Sequence, residues 1–165
     1  MGRVTESVVI VGAGAAGLAT AASLARRGIR PVVLDRGARV GQSWAERYDR
    51  LHLHTARVQS QLPGLRIPRA AGPWVSRDDF VAYLQRYAAH HRIDVRFGVT
   101  VDAVRPVPEG HRVAGTDGGA ELDVTARHVV LATGLNRVPR FPDWPGANSF
   151  TGEVLHACAY RNGHA

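Results

Sequence analysis

The chain has 165 residues, 45% of them hydrophobic and 21% charged, which suits one folded domain and excludes a disordered chain. Its 21 basic residues, all arginine, outnumber 14 acidic ones for a net charge of +7, but they are dispersed and do not alternate with aromatics, which argues against a nucleic-acid surface. No apolar run approaches the ~20 residues of a membrane span, and the single cysteine, Cys158, excludes an internal disulfide and fits a reducing cytoplasm.

Residues 7–11 are β-branched and almost wholly apolar, the pattern of a strand buried on both faces of a parallel sheet. Gly12, Ala13, Gly14, Ala15, Ala16 and Gly17 follow. Residues 18–27 read as a helix, with Leu18, Ala22 and Ala25 on one face, Arg26 and Arg27 in its last turn, and Gly28 suited to the position beyond it. Residues 32–35 form a second short strand ending in Asp35, which completes a β-α-β unit. Residues 36–73 are irregular, and a long irregular segment in a compact domain usually serves a function or covers a ligand.

Ser76 is placed to cap a helix, with Asp79 three residues on and Phe80, Leu84, Tyr87, Ala88 and His91 following at helical spacing. Residues 93–97 and 99–104 read as strands. Residues 111–116 and 120–125 read as a hairpin around Asp117, Gly118 and Gly119. A further apolar strand at 128–132 runs into Thr133 and Gly134, and beyond Pro139 no strong element is visible. This order predicts an α/β fold: a doubly wound, Rossmann-like sheet with a three-stranded β-meander covering one side.

Gly12, Gly14 and Gly17 are spaced as GxGxxG between a strand and a helix. That spacing gives a tight turn, close approach of a diphosphate to the backbone, and close helix–strand packing. The helix start adds free N–H groups and about half a positive charge. Asp35 lies 18 positions beyond Gly17, where a carboxylate can accept hydrogen bonds from an adenosine ribose. It would repel the 2′-phosphate of NADP and so fits FAD or NAD, although the neighbouring Arg36 is of the kind that holds such a phosphate.

Four elements together resemble the N-terminal FAD-binding region of flavin-containing monooxygenases, in particular bacterial members similar to the plant YUCCA-type enzymes. They are the glycine loop with Asp35; Gly41, Gln42, Ser43 and Trp44 followed by Tyr48, Asp49, Arg50 and Leu51; Ala132, Thr133 and Gly134 after an apolar strand; and Phe150, Gly152, His156 and Tyr160 in the spacing FxGxxxHxxxY. The resemblance implies a glutathione-reductase-type FAD-binding fold. It assigns the FAD pyrophosphate to Gly12, Ala13, Gly14, Ala15 and Ala16, and the ribose to Asp35. Gln42, Ser43 and Trp44 would lie beside the ribityl chain and flavin, and His54 and Thr55 near the isoalloxazine and nicotinamide. The Val101 backbone would meet adenine, Thr133 and Gly134 would line the passage to a nicotinamide domain, and His156 would help couple the two domains. The implied chemistry is monooxygenation: NADPH, or NADH, reduces FAD, and a flavin hydroperoxide delivers one atom of O2 to a small organic substrate. No catalytic acid, base or nucleophile is assigned.

Members of that family are longer, and no second strand–GxGxxG–helix unit is visible. Residues 1–165 are therefore expected to be a partial FAD-binding domain, with the second, NADPH-binding domain absent and a C-terminal part or a partner chain needed to complete it. A NAD-binding dehydrogenase domain and a non-catalytic dinucleotide-binding remnant stay open as alternatives. His52 and His54 are two ligands without a third, so no metal site is expected. Cys158 lacks the CxxC partner of a disulfide reductase. His90 and His91 read as partners of a helix dipole, and Trp74 and Trp144 as packing residues.

Overall fold

A computed structural model of the chain describes residues 4–135 and 138–163. Ten elements follow in order. They are β1 (Val4–Val11), α1 (Ala15–Ala25), β2 (Val32–Asp35), α2 (Gln42–Ala45), α3 (Arg57–Ser60), α4 (Arg77–His90), β3 (Val95–Phe97), β4 (Val99–Val107), β5 (Gly110–Asp117) and β6 (Ala120–Leu131). Short 3-10 turns occupy Arg69–Ala71 and Ala147–Ser149.

The strands form one six-stranded sheet in the order β3-β2-β1-β6-β5-β4. β3, β2, β1 and β6 run parallel, and β4, β5 and β6 form the antiparallel meander. The strands expected at 120–125 and 128–132 are one continuous strand. The first half of β6 pairs with β5, and residues 124–131 pair with β1, with Val124, Thr125 and Ala126 bonded on both sides.

Alternation along β1 and β2 assigns the two faces. Val8, Ile10 and Val33 point into a core built with Leu18, Ala21 and Ala22 of α1 and Phe80, Leu84 and Tyr87 of α4. Val9, Val11, Val32 and Leu34 point the other way, against Val99, Val113, Leu122, Val124 and Ala126 of the meander. The meander thus covers the face that a second helical layer would otherwise take, as its hydrophobic pattern predicts. Residues such as Ile10, Leu18 and Val33 are fully buried, each worth roughly 1.5–3 kcal/mol of transfer free energy.

α4 starts where the capping box predicts. The Ser76 hydroxyl accepts the Asp79 N–H at 3.1 Å and donates to Asp79 Oδ2 at 2.7 Å. The segment 62–65 is strapped to this helix by two phenols: Tyr83 accepts the Leu62 N–H and donates to Leu65 O, and Tyr87 donates to Pro63 O. At the far end of α1, Arg26 is the residue after the last helical turn and not within it, and Gly28 takes the expected left-handed conformation. Trp74 and Trp144, expected as packing residues, stand 56% and 44% exposed. No helix among the described residues is long and apolar enough to cross a membrane.

Candidate functional site

The parallel strand order β3-β2-β1-β6 reverses its winding at β1, and ligands of open α/β sheets bind at the carboxyl ends of strands at such a reversal. The carboxyl ends of β1 and β6 meet there, with Val11 opposite Leu131. The glycine loop leaves β1 at this point. Gly12 has φ +111°, and a Cβ on it would overlap Ala132 O. A Cβ on Gly17 would overlap Gly12 O and meet Ile10 Cγ2 at 3.4 Å. These two glycines are required by the fold. Gly14 differs, because nothing lies within 4 Å of where its Cβ would be. Its φ of −79° is open to any residue, so the space beside it is available to a ligand.

Gly14 is also the N-cap of α1, which has no side-chain cap and no acidic residue in its first turn. Uncapped N–H groups at the positive end of an 11-residue helix dipole have the electrostatics that suit an anion. Asp35, half-buried at the end of β2, flanks it. Its Oδ2 accepts the Ala13 N–H at 2.6 Å, and its Oδ1 accepts the Gly37 N–H at 2.7 Å. Gly37 bridges to Gln42: a Cβ there would lie 2.9 Å from Asp35 Oδ1 and 3.2 Å from Gln42 Cβ. The Gln42 amide oxygen accepts the Ala38 N–H at 2.8 Å, and its nitrogen donates to Glu46 at 2.9 Å.

The fold therefore brings Gly12 to Gly17, Asp35, Gln42 and the Ala132–Thr133 strand end together. Ala132 donates its N–H to Val11 O at 2.8 Å, and Thr133 and Gly134 beyond it are exposed. Arg36 is exposed on the rim. Ser43 is exposed on α2, while Trp44 turns inward and meets Phe80 of α4 edge-on at 4.9 Å. His54 and Thr55 are exposed on the loop after buried Leu53, and the Thr55 hydroxyl bonds that of Ser60 at 2.7 Å. Val101 is half-buried against the meander core, paired with Gly115 beside a bulge at Asp102. The His156 ring meets that of Phe141 at a tilt of 59°, with centroids 5.3 Å apart.

Sequence reasoning missed a latch on the C-terminal segment. Asp49 donates its N–H to Arg161 O at 2.8 Å and accepts from Asn162 Nδ2 at 2.8 Å and from Arg77 Nη1 at 3.0 Å. Arg161 donates to Glu46 O at 2.6 Å. Hydrogen bonds from Asn162 and then Arg77 hold the Asp49 carboxyl below its usual range. His91 also departs from expectation. Burial first, then the nearby His90 and Arg26, lower its pKa, and its Nε2 has no partner among the described residues; both disfavour the cationic form that would pair with a helix dipole.

An uncapped glycine loop at the sheet reversal, with an acid at the next strand end, defines a dinucleotide-binding α/β domain. The chain belongs to the pyridine nucleotide-disulphide oxidoreductase family, which it matches over residues 9–164. It is 43% identical over 157 residues to indole-3-pyruvate monooxygenase YUCCA1 of Oryza sativa subsp. japonica, covering 94% of this chain and 38% of that one. It superposes on the flavin-containing monooxygenase from Stenotrophomonas maltophilia with a TM-score of 0.85 and 32% identity, covering 96% of this chain and 47% of that one. The corresponding figures for OTEMO, in a crystal structure complexed with FAD and NADP, are 0.71, 26%, 95% and 31%. The chain thus spans less than half the length of each of these relatives.

Proposed function

We propose that this chain is the FAD-binding portion of an NAD(P)H-dependent flavoprotein monooxygenase that inserts one oxygen atom from O2 into a small organic substrate. The observation that carries the reading is the open flank of Gly14 at an uncapped helix start beside Asp35. The likeness to monooxygenases, and to OTEMO in its complex with FAD and NADP, supports the choice of cofactor.

The residues fit that group. Within Gly12 to Ala16, Gly12 and Ala13 already donate to Leu34 O and to Asp35, so the N–H groups of Gly14, Ala15 and Ala16 would receive the diphosphate, and the remaining lone pairs of Asp35 would accept the ribose hydroxyls. Arg36 would flank the ribose. Gln42, Ser43 and Trp44 would border the ribityl chain and flavin, His54 and Thr55 the isoalloxazine, and the Val101 backbone the adenine. Thr133 and Gly134 would form the passage toward the nicotinamide-binding half. When bound, FAD supplies the redox chemistry, taking two electrons from NAD(P)H and passing them to O2. The protein's own task is to bind, orient and exclude water.

The test is reconstitution. The purified chain is mixed with FAD, freed of unbound ligand, and its flavin absorbance read. Retained yellow colour that is lost in Gly14→Val supports the reading. Colourless protein that instead holds NAD points to the dehydrogenase alternative, and protein that holds neither points to the non-catalytic remnant.

A further inference from the structure

We propose that Arg161 is a positioning residue for the candidate site: it closes the one-turn helix α2 and, through Glu46, holds the Gln42 amide against the turn that follows Asp35. The proposal rests on the flavin reading above and adds to it a residue 115 positions beyond Glu46 in the chain.

α2 needs support from outside itself. It has four residues, none buried, and no side-chain N-cap, and a helix of one turn is unstable alone in water. The carbonyls at its end have no partner within the helix. Two guanidiniums from distant segments meet them. Arg161 Nη1 donates at 2.6 Å to the carbonyl of Glu46, the C-cap residue, and Arg77 Nη1 donates to Arg47 O at 2.7 Å. Cations at a helix C-terminus also face the negative end of its dipole. Asp49 ties the two arginines together, donating its N–H to Arg161 O at 2.8 Å and accepting from Arg77 at 3.0 Å.

From Glu46 a series of hydrogen bonds leads to the glycine loop. Glu46 Oε1 accepts from Gln42 Nε2 at 2.9 Å, one turn back on the same face of α2. That bond fixes which way the Gln42 amide faces, so its oxygen accepts the Ala38 N–H at 2.8 Å. Gly37, the residue before Ala38, donates its N–H to Asp35 Oδ1 at 2.7 Å, and Asp35 Oδ2 accepts the Ala13 N–H at 2.6 Å. If the end of α2 frays, Glu46 leaves Gln42, the Ala38 N–H loses its acceptor, and the turn that faces the Asp35 carboxylate loosens. Arg161 thus acts on the site through Glu46 and Gln42.

The test has two readouts on the full chain. In the free protein, Arg161→Ala should speed hydrogen exchange of the Ala38 and Glu46 N–H groups about twofold or more, while exchange along α1 stays unchanged as the folding control. With FAD, titrated by flavin fluorescence, the same variant should raise the dissociation constant about two- to tenfold, the effect of losing one hydrogen bond. Glu46→Ala should do the same, whereas Glu46→Gln keeps an acceptor for Gln42 and should bind FAD as the unaltered chain does. The decisive comparison is a double variant. Adding Arg161→Ala to Gln42→Ala should weaken FAD little further, because both changes act through one amide. Effects that multiply independently, unchanged exchange at Ala38, or an unchanged dissociation constant would overturn this proposal and leave the flavin reading standing. An unaltered chain that binds no FAD would overturn both.

Discussion

Asp35 and Ala13, 22 residues apart, share a hydrogen bond of 2.6 Å from the Ala13 N–H to the Asp35 carboxylate. The same carboxylate accepts from Gly37 at 2.7 Å, so one side chain ties the glycine loop to the end of β2. The loop is held in shape before any ligand arrives, which lowers the ordering cost of binding. A carboxylate has about four acceptor sites, so these two bonds leave room for ribose hydroxyls. Asp35→Ala is expected to cost about 1–3 kcal/mol in thermal or urea unfolding, and to abolish most flavin retention. Undiminished flavin absorbance in that variant would rule out the ribose role.

Gly14 and Gly17 should separate ligand binding from folding. Gly14→Ala meets no protein atom, so stability should change by less than about 1 kcal/mol while flavin retention falls. Gly17→Ala drives a methyl into Gly12 O, and about 1–3 kcal/mol of stability should go with it. Melting curves and flavin absorbance on the same two proteins check this. An equal loss of stability in both would show that Gly14 serves the fold alone.

The Asp49 latch should depend on pH. Its carboxyl is held below the ordinary 3.8 by Asn162 and Arg77. A depressed folded-state pKa gives stability that is present above 3.8 and lost as pH falls through the folded value. At neutral pH, Asp49→Ala should therefore speed hydrogen exchange of the N–H groups around 158–162. Unaltered exchange would mean that the carboxylate does not hold this segment.

His91 predicts a second, higher window. Its folded pKa lies below 6.5, chiefly through burial, so the unfolded chain takes up the proton first as pH falls. Its contribution is full above 6.5 and declines as pH drops through the folded value. The midpoint of unfolding should fall between pH 7 and 5 (about the span over which a histidine titrates). In His91→Phe that part of the slope should disappear.

The β-α-β unit was legible because its signals are local: an apolar run, three glycines, a helical face and a terminal acid within residues 7–35. The Ser76–Asp79 cap and the hairpin at Gly118–Gly119 were legible for the same reason. The fusion of two expected strands into β6 was not. Its first half alternates as a meander strand and its second half is nearly all apolar as a parallel strand, with polar Arg127 and His128 between. Helices α2 and α3 have four residues each, too few for a period to register.

What the sequence determined by itself is the identity of the groups at the candidate site, since backbone conformation and hydrogen-bonding capacity at Gly12, Gly17 and Asp35 are properties of single residues and near neighbours. Tertiary structure alone decided which of those groups meet. Asp49 reaches Asn162 across 113 residues, Arg57 donates to Ile67 O, and the half-buried His91 ring packs beside Tyr87. Each depends on how distant segments pack. No pattern along the chain encodes a distance between residues that only the folded sheet and its covering layers bring together.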